Sequence, residues 1–412
     1  MATIYWLGTA DPVAQVAFAT FATYDVATTR KITIGGVTIQ AADSGGTLTT
    51  AMTALAVLLN ASTDPYFSAI TWTSNATQII GTADTAGVPF VFLAAVSGGT
   101  GTVSNTYGIT TASAGPNDWS TATNWSGAAV PVSTDTAVLR DSAVDVLWGL
   151  DQSAVTLTAL VIEKSYTGKV GLNRVVFQTS ATDSDTTKTE YRTTYLKISA
   201  TSIKIGENNS QSTPSGSSRI MIDTGSNAST CEIFDTASTP SESGRPSIRL
   251  KFNHSTSVLF VRSAPGGVGV ALDAPGETST LATISISDVT SGSKVYTGSG
   301  VTLTTWTQSG GVNIQNLAAT LTTLNMVGGA LSIEGTHAIT TINISGGTLS
   351  ANSTGTITTL NLTGGTIDFQ ESNRARTVTT ANLTKGTMKA DGSVMTVTTI
   401  NDPAGKYSLV AS

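Results

Sequence analysis

Short stretches of alternating apolar and polar residues, separated by glycine pairs, recur along the C-terminal part of the chain. From about residue 300 one unit returns six times, as an aliphatic residue, two threonines and a second apolar residue. The copies occupy residues 303–306, 321–324, 339–342, 357–360, 378–381 and 397–400, so the period is nearly constant. Alternation over so few residues predicts a β-strand with one buried face.

Each copy continues in the same way. The next position is Thr307 in the first copy and then Asn325, Asn343, Asn361, Asn382 and Asn401. Glycine corners follow, formed by Gly310, Gly311, Gly328, Gly329, Gly346, Gly347, Gly364 and Gly365, and by Gly386 and Gly405 in the last two copies. After most corners a second short alternating run appears, as in residues 330–333. Because one such repeat cannot bury its own apolar face, the copies are expected to stack into a solenoid.

The period favours a right-handed, single-stranded parallel β-helix whose coils lie about 4.8 Å apart. One inward column is then predicted from Leu321, Ile339, Ile357, Val378 and Val397. The repeated asparagines form a structural ladder whose amides hydrogen-bond from coil to coil, and the threonine pairs form outer ladders. Leucine-rich repeats share the period but have a helical half that is absent here. A left-handed hexapeptide helix requires an apolar residue every sixth position, which the repeat lacks.

The chain is therefore predicted to be mainly β, in two parts. Residues 1–115 form a small β-sandwich-like domain, with a hairpin at 31–40, one amphipathic helix at 47–60 and strands near 70–74, 78–83 and 88–94. Residues 116–412 form the β-helix, with earlier coils at 157–162 and 281–286 and regular coils of 18–21 residues over 300–405. The polar segments at about 178–190 and 207–247 are interpreted as irregular insertions.

Composition explains why few functions fit this chain. Of its 412 residues only 12% are charged, the net charge is −6, and Thr makes up nearly a fifth. An acidic chain without a basic patch is not expected to bind nucleic acid. One cysteine excludes a disulfide framework. No signal peptide and no apolar run of about 18 residues is found, so neither export nor membrane insertion is expected.

Two pairs of acidic residues are candidates for metal binding or glycosidase chemistry. Asp183 and Asp185 alternate like the ligands of a Ca²⁺ loop, but the central glycine and the terminal glutamate do not follow. Asp368 and Glu371 resemble a glycosidase pair, but their neighbours in adjacent coils are not acidic and no aromatic groove surrounds them. A solvated loop is therefore the better interpretation of Asp183 and Asp185, and Asp368 and Glu371 are not expected to form a glycosidase pair.

The remaining candidates also fit structural roles. His254 and His337 lack a nearby nucleophile or carboxylate and are expected in turns or at the surface. Cys231 is expected as a half-buried thiol in a strand. Trp119 and Trp125 are expected to cap the start of the β-helix. We therefore expect no catalytic residue, no cofactor, no metal site and no enzymatic activity.

Taken whole, the chain resembles virion proteins of tailed bacteriophages. The N-terminal resemblance lies in residues 4–10, 32–39, 47–60 and 83–90, and the β-helix resemblance lies in residues 124–135 and in the Thr-Thr-φ-Asn-φ coils. Similar β-helices occur in phage fibres, tailspikes and capsid decoration proteins, and in autotransporter passengers. An autotransporter passenger requires a signal peptide and a C-terminal membrane barrel, and the sequence shows no sign of either.

The resemblance implies a non-enzymatic structural protein that decorates or reinforces the capsid or tail, with the N-terminal domain as its attachment to the particle. Its partners are other virion proteins, and its location is the virion, assembled in the host cytoplasm. Such β-helices often trimerise, so a homo-oligomer is expected, although no heptad repeat sets the number of copies. The alternative is a tail fibre or tailspike that binds, or degrades, a host surface polysaccharide.

Overall fold

Strands with alternating burial dominate the chain, as its polar pattern predicts. The computed structural model describes residues 2–172, 192–207, 216–234, 246–262, 269–272, 278–287, 294–317, 319–370, 374–390, 395–403 and 405. Two separate hydrophobic cores lie within these residues. The smaller core belongs to an N-terminal unit and the larger one to a parallel β-solenoid of about nine turns.

The N-terminal unit consists of two small antiparallel sheets and one helix. Its elements are β2 (Val16–Ala22), β3 (Thr29–Ile34), β4 (Val37–Ala42), α1 (Leu48–Asn60), β5 (Ile70–Ser74), β6 (Gln78–Ala83), β7 (Leu93–Ser97) and β8 (Thr102–Thr111). One sheet has the strand order β5-β6-β2-β8 and the other has the order β4-β3-β7. The side chain of Thr47 caps α1 by accepting a hydrogen bond from the Thr50 N–H at 3.2 Å.

The predicted hairpin and helix of this unit are confirmed, and the strand predicted at 88–94 is displaced. Strand β7 begins only at Leu93. Pro89 explains the shift, because proline cannot donate a hydrogen bond to a strand ladder. Strands β2 and β8 were not predicted. The alternation in β2 is carried mostly by alanines, which give a weak apolar signal.

The chain enters the solenoid before it forms the N-terminal unit. Strand β1 (Thr3–Tyr5) pairs in parallel with β9 (Thr136–Leu139), and the Ala2 N–H donates to the Asp135 carboxylate at 2.8 Å. Val13 N–H then donates to the Ala114 carbonyl at 2.8 Å, where the N-terminal unit closes on itself. The prediction that the N-terminal unit begins at residue 1 therefore needs correction. The unit is an insertion of residues 13–114 between the first strand and the rest of the solenoid.

Two parallel sheets form the walls of the solenoid. Sheet A contains the longer strands and begins with β1 and β9, followed by β10 (Asp151–Glu163) and β11 (Leu196–Glu207). It continues with β13 (Thr230–Ile233), β15 (Val258–Val261), β17 (Ser279–Ile286), β19 (Val301–Gln308), β21 (Leu321–Met326), β23 (Ile339–Ile344), β25 (Ile357–Leu362), β27 (Arg376–Leu383) and β29 (Met395–Asn401).

Sheet B contains the shorter strands. The first residues of β10 and β11 start this sheet, because they pair with each other and those of β11 then pair with the following strand. Its strands are β12 (Ile220–Asp223), β14 (Ile248–Lys251), β16 (Gly269–Leu272), β18 (Lys294–Thr297), β20 (Val312–Gln315), β22 (Ala330–Ile333), β24 (Thr348–Ala351), β26 (Thr366–Asp368) and β28 (Thr387–Lys389).

Strands β12 and β13 correct the prediction that residues 207–247 are an insertion. Both strands lie in the walls of the solenoid, and Ile220, Ile222, Cys231 and Ile233 point into its core. The polar residues around them masked the pattern, because each of the two strands is very short. The segment 178–190 lies outside the described residues.

The predicted inward columns are present. Leu321, Ile339, Ile357, Val378 and Val397 are register partners from coil to coil, and all but the half-buried Val397 are buried. Sheet B supplies a facing column of Leu331, Leu349, Ile367 and Met388. Full burial of one such aliphatic side chain stabilises the fold by roughly 1.5–3 kcal/mol, so the stacked columns hold the coils together.

Candidate functional site on the outer face of sheet A

The outer face of sheet A carries two parallel columns of side chains that stand two residues apart on every strand. The first column contains Thr283, Thr305, Thr323, Thr341, Thr359, Thr380 and Thr399. The second contains Ser285, Thr307, Asn325, Asn343, Asn361, Asn382 and Asn401. We call these two columns the neutral ladder face.

The asparagines bond to one another as the sequence predicts. Each amide Nδ2 donates to the Oδ1 of the previous coil, at 2.8 Å for Asn343, 2.8 Å for Asn361, 2.7 Å for Asn382 and 2.7 Å for Asn401. At the lower end Asn325 Nδ2 reaches Thr307 Oγ1 at 3.4 Å. A chain of amides that bond to one another in this way stabilises the stacking of neighbouring coils.

The two glycines of each corner meet different requirements. The second glycine has a left-handed backbone, with φ of +78° at Gly311, +76° at Gly329, +80° at Gly347 and +69° at Gly365. The first glycine lies against the coil below, since a Cβ on Gly346 would overlap the Val327 carbonyl oxygen. The pairs therefore form corners that turn tightly and stack closely, and none of them begins a helix.

A cluster of charged and aromatic side chains continues the second column toward the N-terminal end of sheet A. Lys204, Glu232 and Phe260 are register partners there, one coil apart. Lys204 Nζ lies 2.6 Å from Glu207 Oε1, and Arg262 lies 2.5 Å from Glu232 Oε1. The Arg262 guanidinium also lies 4.5 Å from the centre of the Phe260 ring. Sequence reasoning missed this cluster, because the residues that stack there are of different types and lie 28 residues apart, so no repeated unit marks them.

Of the four acidic candidates, only Asp368 lies among the described residues. Asp368 Oδ2 lies 2.9 Å from Lys389 Nζ in the next coil. Burial by itself raises the pKa of Asp368, but hydrogen bonds from Lys389 and the Gln370 N–H hold that pKa below its ordinary value. Glu371, Asp183 and Asp185 lie outside the described residues. Where the chain is described, no three His, Cys, Asp or Glu side chains are grouped so as to hold a metal ion.

The sulfur and tryptophan candidates lie in the solenoid core. Cys231 is completely buried, not half-buried as predicted, and burial raises the pKa of its thiol. Trp119 and Trp125 are buried at the first turn, and Trp6 packs against Trp125 with ring centres 5.1 Å apart. These three tryptophans close the N-terminal end of the core.

The two histidines differ from each other. His254 lies in a turn, where its Nδ1 is 3.0 Å from Thr256 Oγ1. His337 lies in the connection between β22 and β23 and is only 6% exposed, so of the two expected positions, a turn or the surface, the surface is excluded. Its Nε2 lies 3.3 Å from Gln315 Oε1, and burial lowers the pKa of the imidazole to about 4.

Strand β20 inverts the usual pattern of the solenoid. Its inward residues are Asn313 and Gln315, whereas Val312 and Ile314 point to solvent. The Asn313 side chain takes the place of a backbone carbonyl as the hydrogen-bond acceptor of Val295, because its Oδ1 accepts from the Val295 N–H at 2.8 Å. The signal was present in the sequence, since the next coil has Ala-Leu-Ser-Ile where this strand has Val-Asn-Ile-Gln.

No protein-family model, curated protein or solved structure matches this chain. None of the helices in the described residues is long and apolar enough to cross a membrane. The class that the fold defines is a mainly β protein with a parallel β-solenoid body and an inserted N-terminal unit.

Proposed function

We propose that this chain is a non-enzymatic structural protein of a bacteriophage virion, where its solenoid reinforces or decorates the capsid or tail. The observation that supports this best is the regular stack of coils tied by an unbroken asparagine ladder. Such a body offers a long, stiff surface with its polar groups already paired. A stiff repetitive surface suits a load-bearing part of a particle.

The proposal assigns attachment to the N-terminal unit. Because its two ends meet at Val13 and Ala114, the unit projects from the first turn and contacts other virion proteins without disturbing the stack. The protein is then incorporated into the particle in the host cytoplasm, as a homo-oligomer.

A second candidate function is recognition of a host surface polysaccharide by a fibre or tailspike. The charged cluster favours it, because the half-buried Phe260 ring offers a stacking surface and the neighbouring Glu232 and Arg262 offer hydrogen-bond partners for sugar hydroxyls. Both charged groups already pair with each other, which makes this the weaker candidate.

The test is to look for the chain in purified particles. We expect peptides of the chain in mass spectra of density-purified virions, and antibodies against it to label capsids or tails in electron micrographs. A chain found only free in the lysate, and never on particles, would contradict the proposal.

Retention of the wild-type protein, but not of Phe260→Ala, on immobilised host polysaccharide would favour the second function. A fall in the viscosity of that polysaccharide would indicate an enzyme.

A further inference from the structure

The neutral ladder face differs from the rest of the solenoid in its charge. Among the described residues, neither of its two columns contains a charged or aromatic side chain between Thr283 and Asn401. The charged residues of the same coils lie elsewhere. Lys294, Asp368 and Lys389 are in sheet B, the side chain of Arg376 is buried at the start of β27, and Glu334, Arg374, Lys385 and Asp402 lie outside the strands. The face can therefore meet an identical face without repulsion between like charges.

The spacing of the face restricts what can cover it. From β19 to β29 each strand of sheet A pairs with the next strand of that sheet without a register shift, so the columns rise in uniform steps of about 4.8 Å. A ligand whose repeat differs by about 0.5 Å drifts by about 3 Å over six steps, which is more than a hydrogen bond tolerates. Only a partner with the same repeat stays in register along the whole face.

A second β-solenoid has that repeat, and the nearest source of one is another copy of this chain. Small Thr and Asn side chains repeated at about 4.8 Å are the kind that interdigitate between two facing sheets. With strands of about six residues and six coil steps, the whole outer face of sheet A that carries the two columns measures about 20 Å by about 30 Å, so two copies that meet through it would bury about 1,200 Å². That area reaches the lower limit of stable protein interfaces.

We infer that the neutral ladder face is the interface between two copies of this chain. Because the same surface meets itself, the two copies are related by a twofold axis. The inference rests on the proposed structural role and deepens it by naming the surface that joins the copies. A monomeric chain found in virions would overturn the interface and leave the structural role standing.

The first experiment compares two arginine variants of one coil. Thr341 lies at the centre of the neutral ladder face, and Thr348 is exposed on the outer face of sheet B later in the same coil. Light scattering after size exclusion, over a dilution series, measures the mass of the assembly. We expect wild type and Thr348→Arg to form dimers. For Thr341→Arg we expect the dissociation constant of the dimer to be higher by about tenfold or more.

A monomeric wild-type chain at all concentrations, or equal dissociation constants for both variants, would overturn the inference. Far-UV circular dichroism shows whether each variant is folded.

A second experiment does not require the fold to accept an arginine side chain at position 341. The chain has one cysteine, Cys231, which is completely buried, so an added cysteine is the accessible thiol of the folded protein. We expect Thr341→Cys to give a crosslinked dimer with a short bis-maleimide on a denaturing gel, and Thr348→Cys to give none. Crosslinking of Thr348→Cys alone would place the interface on sheet B and refute the proposal.

Discussion

At the scale of single residues, the buried polar side chains of the solenoid impose the strictest requirements. A buried donor or acceptor without a partner costs about 1–3 kcal/mol, so its neighbours must be fixed. Gln308 meets this requirement by donating from Nε2 to the Ala330 carbonyl at 2.9 Å. Gln315 and His337 meet it less fully, since Gln315 Nε2 and His337 Nδ1 lack a hydrogen-bond partner within the described structure.

His337 should make the stability of the solenoid depend on pH. Its pKa is about 4 in the folded protein and 6.5 when exposed, so the unfolded chain binds the proton first as the pH falls. The free energy of unfolding should therefore decrease between pH 6.5 and pH 4, by about 3 kcal/mol at the lower limit. Urea unfolding across this range measures it.

The matched control is His337→Gln, which keeps a polar group next to Gln315 but does not titrate. Carboxylates contribute equally to both proteins, so the difference in pH dependence belongs to His337. Parallel pH profiles for the two proteins would show that the imidazole does not contribute.

At the scale of elements, the corners determine whether the strands can stack. The regular coils turn at glycines with a left-handed backbone, and at that point the chain is nearly in contact with the coil below. A Cβ on Gly347 would lie 2.6 Å from the Gly329 carbonyl oxygen, whereas a Cβ on Gly127 would meet nothing within 4 Å. Both glycines have a similar φ, of +80° and +75°.

The pair Gly347→Ala and Gly127→Ala separates backbone strain from the close approach of the coils. Gly127→Ala should destabilise the protein by about 1–2 kcal/mol through its positive φ alone. Gly347→Ala should destabilise it by about 3 kcal/mol or more, because the added methyl group also pushes two coils apart. Thermal unfolding followed by circular dichroism measures both, and equal losses would mean that the corners relax without strain.

At the scale of the whole molecule, the N-terminal unit and the solenoid have separate cores but an interleaved chain. Strand β1 and Trp6 belong to the solenoid, and the unit of residues 13–114 is inserted after them. The first turn is therefore closed by residues from both sides of the inserted unit, with β1 and Trp6 before it and Trp119 and Trp125 after it. Its three tryptophans keep water from the end of the stacked columns.

Two shortened chains should differ in stability for this reason. Replacing residues 14–113 by a short Gly-Ser linker keeps β1 and Trp6, because residues 13 and 114 are hydrogen-bonded neighbours. That chain should keep the melting temperature of the solenoid. Deleting residues 1–115 removes Trp6 and β1, and should destabilise the first turn by about 3–5 kcal/mol with a red shift of tryptophan fluorescence. Equal melting temperatures would mean that the cap adds nothing.

The sequence by itself determined the regular half of the solenoid, namely its strands, inward columns, glycine corners and asparagine ladder. It could do so because coils of nearly constant length place identical residues above one another. The repeat in the sequence then shows directly which side chains are neighbours in adjacent coils. The helix and the hairpin of the N-terminal unit were also predictable, since the signals for both are local in the chain.

Only the tertiary structure decided the rest. In the earlier coils the positions that stack above one another are Ser202, Thr230, Val258, Thr283 and Thr305. Their intervals are 28, 28, 25 and 22 residues and the stacked residues differ in type, so no repeated unit revealed β12, β13 or the cluster around Phe260. The place of β1 depended on pairing with β9, which lies beyond the whole inserted unit. The physical reason is the same in each case. Where coil length varies, the register of a strand is set by packing against the coil below, and that contact leaves no periodic signal in the sequence.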